Sequence, residues 1–282
     1  MFWSSQGSEP KQVTGQKANE PDHEAPQFLP GGRSFLYARR DIHVFDLARG
    51  VETRLTFESR DNTNPIWSAD GSQIAYSSNP RGYHEIYVHP SSGIGQQRVL
   101  LESNVDQNPL SWSRDGKTLF YNRINPATGR DLWALDVDRG ASSLFHEIPA
   151  RQGYAEISPD SHWVLYRSYE TGVSEVYVQP LPPNGQRWAV SNGGSSEAHW
   201  RGDGAEILYD CKGSMMAADF RAVGSQAQLG KPKELFGLPP LRALGRNLFA
   251  VAPDGQQFLI VTVQPDARPA IVVVVNWPRL LQ

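Results

Sequence analysis

One short pattern recurs along this chain at nearly even intervals. IWSADGSQIAY (66–76), LSWSRDGKTLFY (110–121), AEISPDSHWVLY (155–166) and AHWRGDGAEILY (198–209) share one layout. A short apolar run meets a Ser/Pro/Asp/Gly cluster, and alternating apolar residues then lead to a tyrosine. Weaker copies lie at QFLPGGRSFLY (27–37) and FAVAPDGQQFLI (249–260). The units end at Tyr37, Tyr76, Tyr121, Tyr166, Tyr209 and Ile260, with spacings of 39, 45, 45, 43 and 51 residues. That is the period of a four-stranded propeller blade.

The rest of each unit repeats as well. Asp41-Ile-His-Val, Glu85-Ile-Tyr-Val, Asp131-Leu-Trp-Ala and Glu175-Val-Tyr-Val read acid, aliphatic, aromatic, small or aliphatic, as a third strand. Ser214-Met-Met-Ala and Ala270-Ile-Val-Val fill the same slot without the acid. A fourth strand follows at Thr53-Arg-Leu-Thr, Gln97-Arg-Val-Leu, Arg187-Trp-Ala-Val and Lys233-Glu-Leu-Phe. Asp-Gly between apolar runs supplies positive φ angles for a tight hairpin. Period-two alternation gives each sheet two faces, which stacked blades bury. Helical periodicity is essentially missing, which excludes an α/β enzyme fold. The expected fold is all-β: one domain, a six-bladed propeller of four-stranded antiparallel blades. The units span about 24–57, 64–101, 108–148, 154–191, 197–236 and 247–276, the last completed by residues 10–15.

That last completion answers a puzzle at the two ends. The sixth unit supplies strands at Asn247–Val251, Gln257–Val263 and Ala270–Asn276, then lacks a fourth. Lys11-Gln-Val-Thr14 has the composition of the missing strand and is expected beside Ala270–Asn276, closing the ring and removing two sheet edges. Phe2-Trp3 reads as the end of a third strand of an earlier blade, as in a chain cut or descended from something longer.

Composition narrows the partners. With 282 residues and 39% hydrophobic content the chain can bury roughly three quarters of its unfolded surface as one domain. A net charge of -3 without a Lys/Arg block argues against nucleic acid. Residues 1–30 are polar, acidic and Pro-rich, unlike a secretory signal. The longest apolar run, Ile271–Val275, is far short of a membrane span of roughly 20 residues. The single Cys211 rules out an internal disulfide.

The segments NPIWSADGSQIAYSSN with HEIYV, WSRDGKTLFY with RDLWAL, and SEVYVQPLPPNGQRWAVSNGGSSEAHWRGDGAEILY resemble the TolB-like, WD-like propeller family. They are most similar to the propeller that follows the kinase domain and membrane helix of some bacterial receptor serine/threonine kinases, as is the ending IVVVVNWPRLL. The resemblance covers nearly the whole chain. It implies a noncatalytic sensing or scaffolding module outside the cytoplasmic membrane, or a cytoplasmic one if Met1 is the true start. Departures are Gly31-Gly32 in the first turn, Ser161 for glycine in the fourth, and Ile260 for tyrosine in the sixth. No Gly-rich nucleotide loop, His-Arg-Asp loop or Asp-Phe-Gly segment is present, so this chain is not itself a kinase.

Motifs that carry chemistry are few in this sequence. No Gly-x-Ser-x-Gly elbow occurs. His84 and His89 in HEIYVH fall on opposite strand faces and cannot share a metal. Ser113-Arg-Asp-Gly-Lys lacks the spacing of a sialidase Asp-box and reads as a hairpin turn. Asp41, Glu85, Asp131 and Glu175 would form a ring, either holding a cation or, the favoured reading, bonding nearby amides and basic side chains. His43 is expected to pack in an aromatic slot, and Cys211 to be a turn thiol whose pKa a nearby lysine lowers modestly. No cofactor and no metal are expected.

Loops from each outer strand to the next inner strand should gather at one end of the channel and present a monomer's binding surface to a protein, peptide or small ligand. The candidate rim residues are Asp61, Asn62, Asp106, Gln107, Arg151, Tyr154, Ser195, Glu197, His199 and Arg246. In GLPPLRALGR, Leu238, Leu241 and Leu244 either cover the channel, form an apolar patch or tuck under the rim. The competing class is a propeller hydrolase or lyase with its site at the channel mouth, dependent on residues such as His199, Arg246 or Asp106.

Overall fold

A computed structural model describes residues 2–3, 11–12, 24–57, 61–127, 129–145, 152–239, 248–264 and 267–275. Two short strands come first, β1 (Phe2–Trp3) and β2 (Lys11–Gln12). Blade one is β3 (Glu24–Phe28), β4 (Ser34–Arg39), β5 (Asp41–Asp46) and β6 (Val51–Arg54). Blade two is β7 (Asn62–Trp67), β8 (Gln73–Ser78), β9 (Glu85–Pro90) and β10 (Arg98–Leu101). Blade three is β11 (Gln107–Trp112), β12 (Thr118–Asn125), β13 (Gly129–Asp136) and β14 (Ala141–Leu144). Blade four is β15 (Gln152–Ile157), β16 (Trp163–Ser168), β17 (Glu175–Pro180) and the two-residue β18 (Trp188–Ala189). Blade five is β19 (Ala198–Trp200), β20 (Glu206–Cys211), β21 (Ser214–Val223), β22 (Gln226–Leu229) and β23 (Lys233–Gly237). The closing sheet holds β24 (Phe249–Val251), β25 (Gln257–Gln264) and β26 (Ala267–Val275).

The all-β propeller of four-stranded antiparallel blades is as expected, but the expected count of six is corrected, because the propeller has five blades. Five blades are built of consecutive strands, and the sheet that closes them is not a sixth copy of that unit. It is five-stranded and mixed: β1 runs parallel to β26, with Phe2 beside Val273, while β2 runs antiparallel, with Lys11 opposite Val273 and Gln12 opposite Val272. Phe2-Trp3 is thus a strand paired with the last strand. The proposed pairing of residues 11–14 with that strand holds for Lys11 and Gln12, and 13–14 lie outside the described residues. Blade five departs too, because β21 is ten residues long and pairs with β23 through its first half and with β22 through its second. An inserted hairpin of polar and small residues, RAVGSQAQ, is what lengthens it.

The second and third strands explain the tyrosine slot. Tyr37, Tyr76, Tyr121 and Tyr166 stand directly opposite His43, Tyr87, Trp133 and Tyr177 in the ladders, and each pair stacks at 5.4–6.5 Å between ring centroids. Such cross-strand aromatic pairs contribute about 0.5–1.5 kcal/mol beyond their area. His43 is buried and its Nδ1 lies 2.9 Å from Glu52; burial lowers its pKa, so it is a packed side chain, as its slot suggests. The apolar core lies between sheets rather than in one centre. Phe28, Tyr37 and Leu259 join blade one to the closing sheet, and Leu208, Leu235 and Phe258 join that sheet to blade five.

The Asp-Gly turns follow one device. Ser68 Oγ donates to Asp70 and accepts from the Gln73 amide, while Asp70 accepts from the Ser72 amide. Ser113 with Asp115 and Ser158 with Asp160 repeat it, so Ser113–Lys117 is a hairpin turn. The Ser68 hydroxyl and Ser72 amide hold the Asp70 carboxyl down at about 2. Only the position after the aspartate needs positive φ: 71° at Gly71, 74° at Gly116, and 61° at Ser161, which bears the strain that glycine avoids.

Candidate functional site

The inner strands β3, β7, β11, β15, β19 and β24 surround the channel, each beside the next, with β24 against β3. One repeat position, four residues before the turn aspartate, laces them together. In blade one its equivalent, Gln27, accepts from the Trp67 amide at 2.6 Å. Ser111 Oγ accepts from the Ile157 amide at 2.9 Å, and Glu156 Oε1 from the Trp200 amide at 3.1 Å. His199 Nε2 donates to the Phe249 carbonyl at 3.0 Å. In blade two the slot holds Ile66, and Asn64 bonds Asn108 at 2.8 Å instead.

Where blades four and five and the closing sheet meet, this slot places Glu156 beside His199. Tyr154 shares a strand face with Glu156, two residues away. His199 Nδ1 donates to Glu156 Oε2 at 2.7 Å, and Nε2 to Glu197 Oε1 at 2.9 Å as well as to Phe249. Tyr154 donates its hydroxyl to Glu156 Oε2, and Glu197 Oε2 accepts from the Leu248 amide at 2.7 Å. Burial opposes charge on His199, but Glu156 and Glu197 overcome it and raise its pKa to about 10. Burial pushes Glu197 upward despite the bonds from His199, and burial with the charges of Glu156 and Glu197 drives the Tyr154 phenol well above its ordinary value. At neutral pH the ring is therefore an imidazolium with both N–H groups donated. It has no lone pair with which to take a proton.

Of the predicted rim residues, Tyr154, Glu197 and His199 come together here, with Ser195 nearby: its hydroxyl bonds the Glu197 carbonyl at 3.3 Å and Asp210 at 3.2 Å. The others are apart. Asn62, the first residue of β7, is buried and reaches back to blade one, bonding Asp41 at 3.3 Å and Thr56 at 3.2 Å. Asp61 is exposed, 3.9 Å from His84. Asp106 accepts from the His84 amide at 2.9 Å and ring at 3.1 Å; burial raises its pKa, these bonds lower it more, and it sits below the usual carboxylate range. Gln107 is buried, its carbonyl accepting from Ser77 at 3.1 Å. Arg151 and Arg246 lie outside the described residues, as do Leu241 and Leu244, while Leu238 packs on the core between blade five and the closing sheet. The missing member of the predicted set is Glu156, whose signal was its place in the repeat rather than in a loop.

The repeated acids bind the protein itself. Asp41 bonds Thr56 and pairs with Arg54 at 2.7 Å, and Glu85 pairs with Arg81 at 2.6 Å. Asp131 accepts from Asn125 at 2.8 Å. Glu175 accepts from Ser191 Oγ and from the amides of Gly193 and Gly194 at 2.8 and 3.0 Å. Burial would raise the Glu175 pKa, yet these donors lower it overall. Three of the four thereby hold the third strand or the segment entering the next blade. Cys211 runs against expectation: burial raises its pKa more than Lys212 lowers it.

A cavity of about 360 Å³ opens at the turn end of the channel, lined by Phe28, Trp67, Leu110, Trp112, Pro159 and Pro253 with Arg114 and Glu156. It lies at the opposite end from the blade-to-blade loops, because each inner strand runs from such a loop to its Asp-Gly turn.

Fold and site together define a β-propeller whose channel is laced by inner-strand side chains. The chain belongs to the TolB family: the model for the TolB beta propeller domain matches residues 10–152, half of its length. An uncharacterised protein of Agrobacterium fabrum, Atu1656, is 31% identical over 161 residues, which cover 55% of this chain and 53% of that one. Tricorn protease homolog 1 of Streptomyces coelicolor is 23% identical over 65% of this chain but only 17% of its own length. The chain thus spans about half, or less, of these curated relatives. Among solved structures, TolB from Acinetobacter baumannii is similar with a TM-score of 0.68 and 16% identity over 92% of this chain and 62% of that one. An oligogalacturonate lyase from Vibrio parahaemolyticus is similar with a TM-score of 0.61 and 13% identity over 98% and 81%. These likenesses are of fold.

Proposed function

We propose that this chain is a noncatalytic binding module, one propeller domain serving as the sensing or protein-interaction part of an envelope or signalling protein outside the cytoplasmic membrane. The observation that carries this reading is the state of the channel's polar groups. Tyr154, Glu156, Glu197 and His199 bond one another and the neighbouring sheets, which makes them a latch and leaves no poised base or nucleophile among them. Among the described residues, no helix is long and apolar enough to cross a membrane. The aromatic and proline-lined turn-end cavity is the surface offered to a peptide or protein ligand. A photo-crosslinking residue at Arg114 or Trp112, compared with one at exposed Val223, tests it in cells of the source organism. Discrete adducts from the first two positions alone support the module, and equal labelling from all three refutes it.

The competing enzyme reading draws on the convergence of Tyr154, Glu156 and His199 beside the channel. It requires turnover in a panel of esterase, peptidase, glycosidase and polysaccharide-lyase substrates that His199→Gln abolishes while the fold persists.

A further inference from the structure

A second cleft lies on the flank of the ring, away from the channel. Blade four's outer strand β18 has two residues where β6, β10 and β14 have four, and it pairs with β17 alone. The inserted hairpin of blade five leans toward that short edge. Gln226 bonds Gln186 at 3.0 Å, and Ala227 and Leu229 pack with Trp163, Trp188 and Val190. The hairpin thus walls a cleft of about 780 Å³, bounded by Ala189 and Val190 on one side and Leu229 and Pro232 on the other, with Val173 and Tyr177 alongside. The volume falls within the range of roughly 300–1,000 Å³ typical of ligand sites. One side is strand edge, the other apolar.

Lys212 supplies the charge. It lines the cleft, exposed, and among the described residues it makes no ion pair. Glu175 at the floor accepts from Ser191, Gly193 and Gly194, and the Lys212 charge helps to lower its pKa without a direct ion pair, so the ammonium keeps its N–H donors for a ligand. The side chain lies flat over Gly193, where an added Cβ would stand 2.6 Å from Nζ, so Gly193 is the surface that receives it. Lys212 also holds φ at +50° in the two-residue turn before Gly213, a position that glycine, asparagine or aspartate fills more easily. A cation thus stands there against backbone preference.

We propose that this cleft binds an acidic peptide in extended form, its backbone lying along the edge of β18, its apolar side chains against Val190 and Leu229, and its carboxylate on Lys212. Strand addition supplies affinity through main-chain hydrogen bonds, and the lysine selects charge. The site is separate from the turn-end cavity, so either can fail without the other.

The test uses the full chain and a synthetic array of nonapeptides with alternating valine and polar positions, in acidic, neutral and basic series, each with free or amidated C-termini. The acidic series should bind, and fluorescence anisotropy on its best member should show at least a tenfold loss in Lys212→Gly and retention in Lys212→Arg. Since glycine suits φ +50°, Lys212→Gly should melt no lower than the parent, which separates lost binding from lost folding. Comparison of the two C-termini tells a side-chain carboxylate from a terminal one. Failure of every acidic peptide to bind, equal binding by the basic series, or undiminished binding by Lys212→Gly overturns the assignment.

Discussion

Replacing His199 by alanine removes the one cation between two carboxylates at the junction of three sheets. Glu197, whose side chain is only 4% exposed and whose pKa burial already raises, would be left with an uncompensated charge or forced to take up a proton, and the Phe249 carbonyl would lose its donor. Breaking a buried ion pair from one side costs about 3–5 kcal/mol. A second route gives a similar figure. A pKa of about 10 in the folded chain against the ordinary 6.5 corresponds, at about 1.4 kcal/mol per pH unit, to about 4 kcal/mol at pH 7. For a chain of 282 residues, with about 2.1 cal/mol/K of unfolding entropy per residue, this lowers the melting temperature by about 5–8 °C. Because the folded pKa is the higher one, the contribution is fully present below pH 6.5 and is lost as pH rises through about 10. The difference between parent and His199→Ala should therefore be large at pH 6 and shrink toward pH 10.5. Thermal melts by circular dichroism across that range decide it. A difference below about 1 °C at pH 6, or one that grows with pH, would refute the latch.

Four further outcomes are expected. Ser161→Gly should stabilise by about 0.5–1 kcal/mol, since φ is 61° there and the hydroxyl's bond to the Arg114 amide is solvent-exposed; urea melts check it. Gly202→Ala should destabilise by about 1–3 kcal/mol, because its Cβ would lie 2.5 Å from the Pro253 carbonyl where blade five meets the closing sheet; the same melts apply. Glu175→Gln should cost about 1.5–3 kcal/mol, from three charge-assisted bonds weakened, and the loss should be unmoved by EDTA or added calcium. Deleting residues 1–15 removes both N-terminal strands that pair with β26 and should cost several kcal/mol; an unchanged melting temperature would show that the ring closes without them.

The periodicity of turn, tyrosine and acid was enough to place the strands, their pairing within a blade and the stacking of blades about an axis. These depend on local physics: positive φ after an aspartate, alternation along a strand, an aromatic opposite an aromatic. It also favoured the structural role of Asp41, Glu85, Asp131 and Glu175, because a repeated polar group is most simply bound to repeated backbone. The candidate site was only half legible. Glu197 and His199 stood out as polar residues near a loop, but Asn62 and Gln107 looked the same and are buried bonding groups of other blades. Glu156 was not legible as a site residue, because its repeat slot gains meaning only once the next blade packs beside it. Apart from Tyr154 on its own strand, its partners lie 43 residues later and beyond, so only the circular packing brings its carboxylate to the ring of His199.

The same division holds for the closing sheet and the flank cleft. Composition could nominate Lys11 and Gln12 as partners of the last strand, since strand propensity is read residue by residue. It could not show that Phe2-Trp3 would run parallel on that strand, nor that an unremarkable RAVGSQAQ insertion would lean on the preceding blade's short edge. Those outcomes depend on which free edge and which apolar face remain uncovered once five blades have packed, and that is a property of the assembled ring.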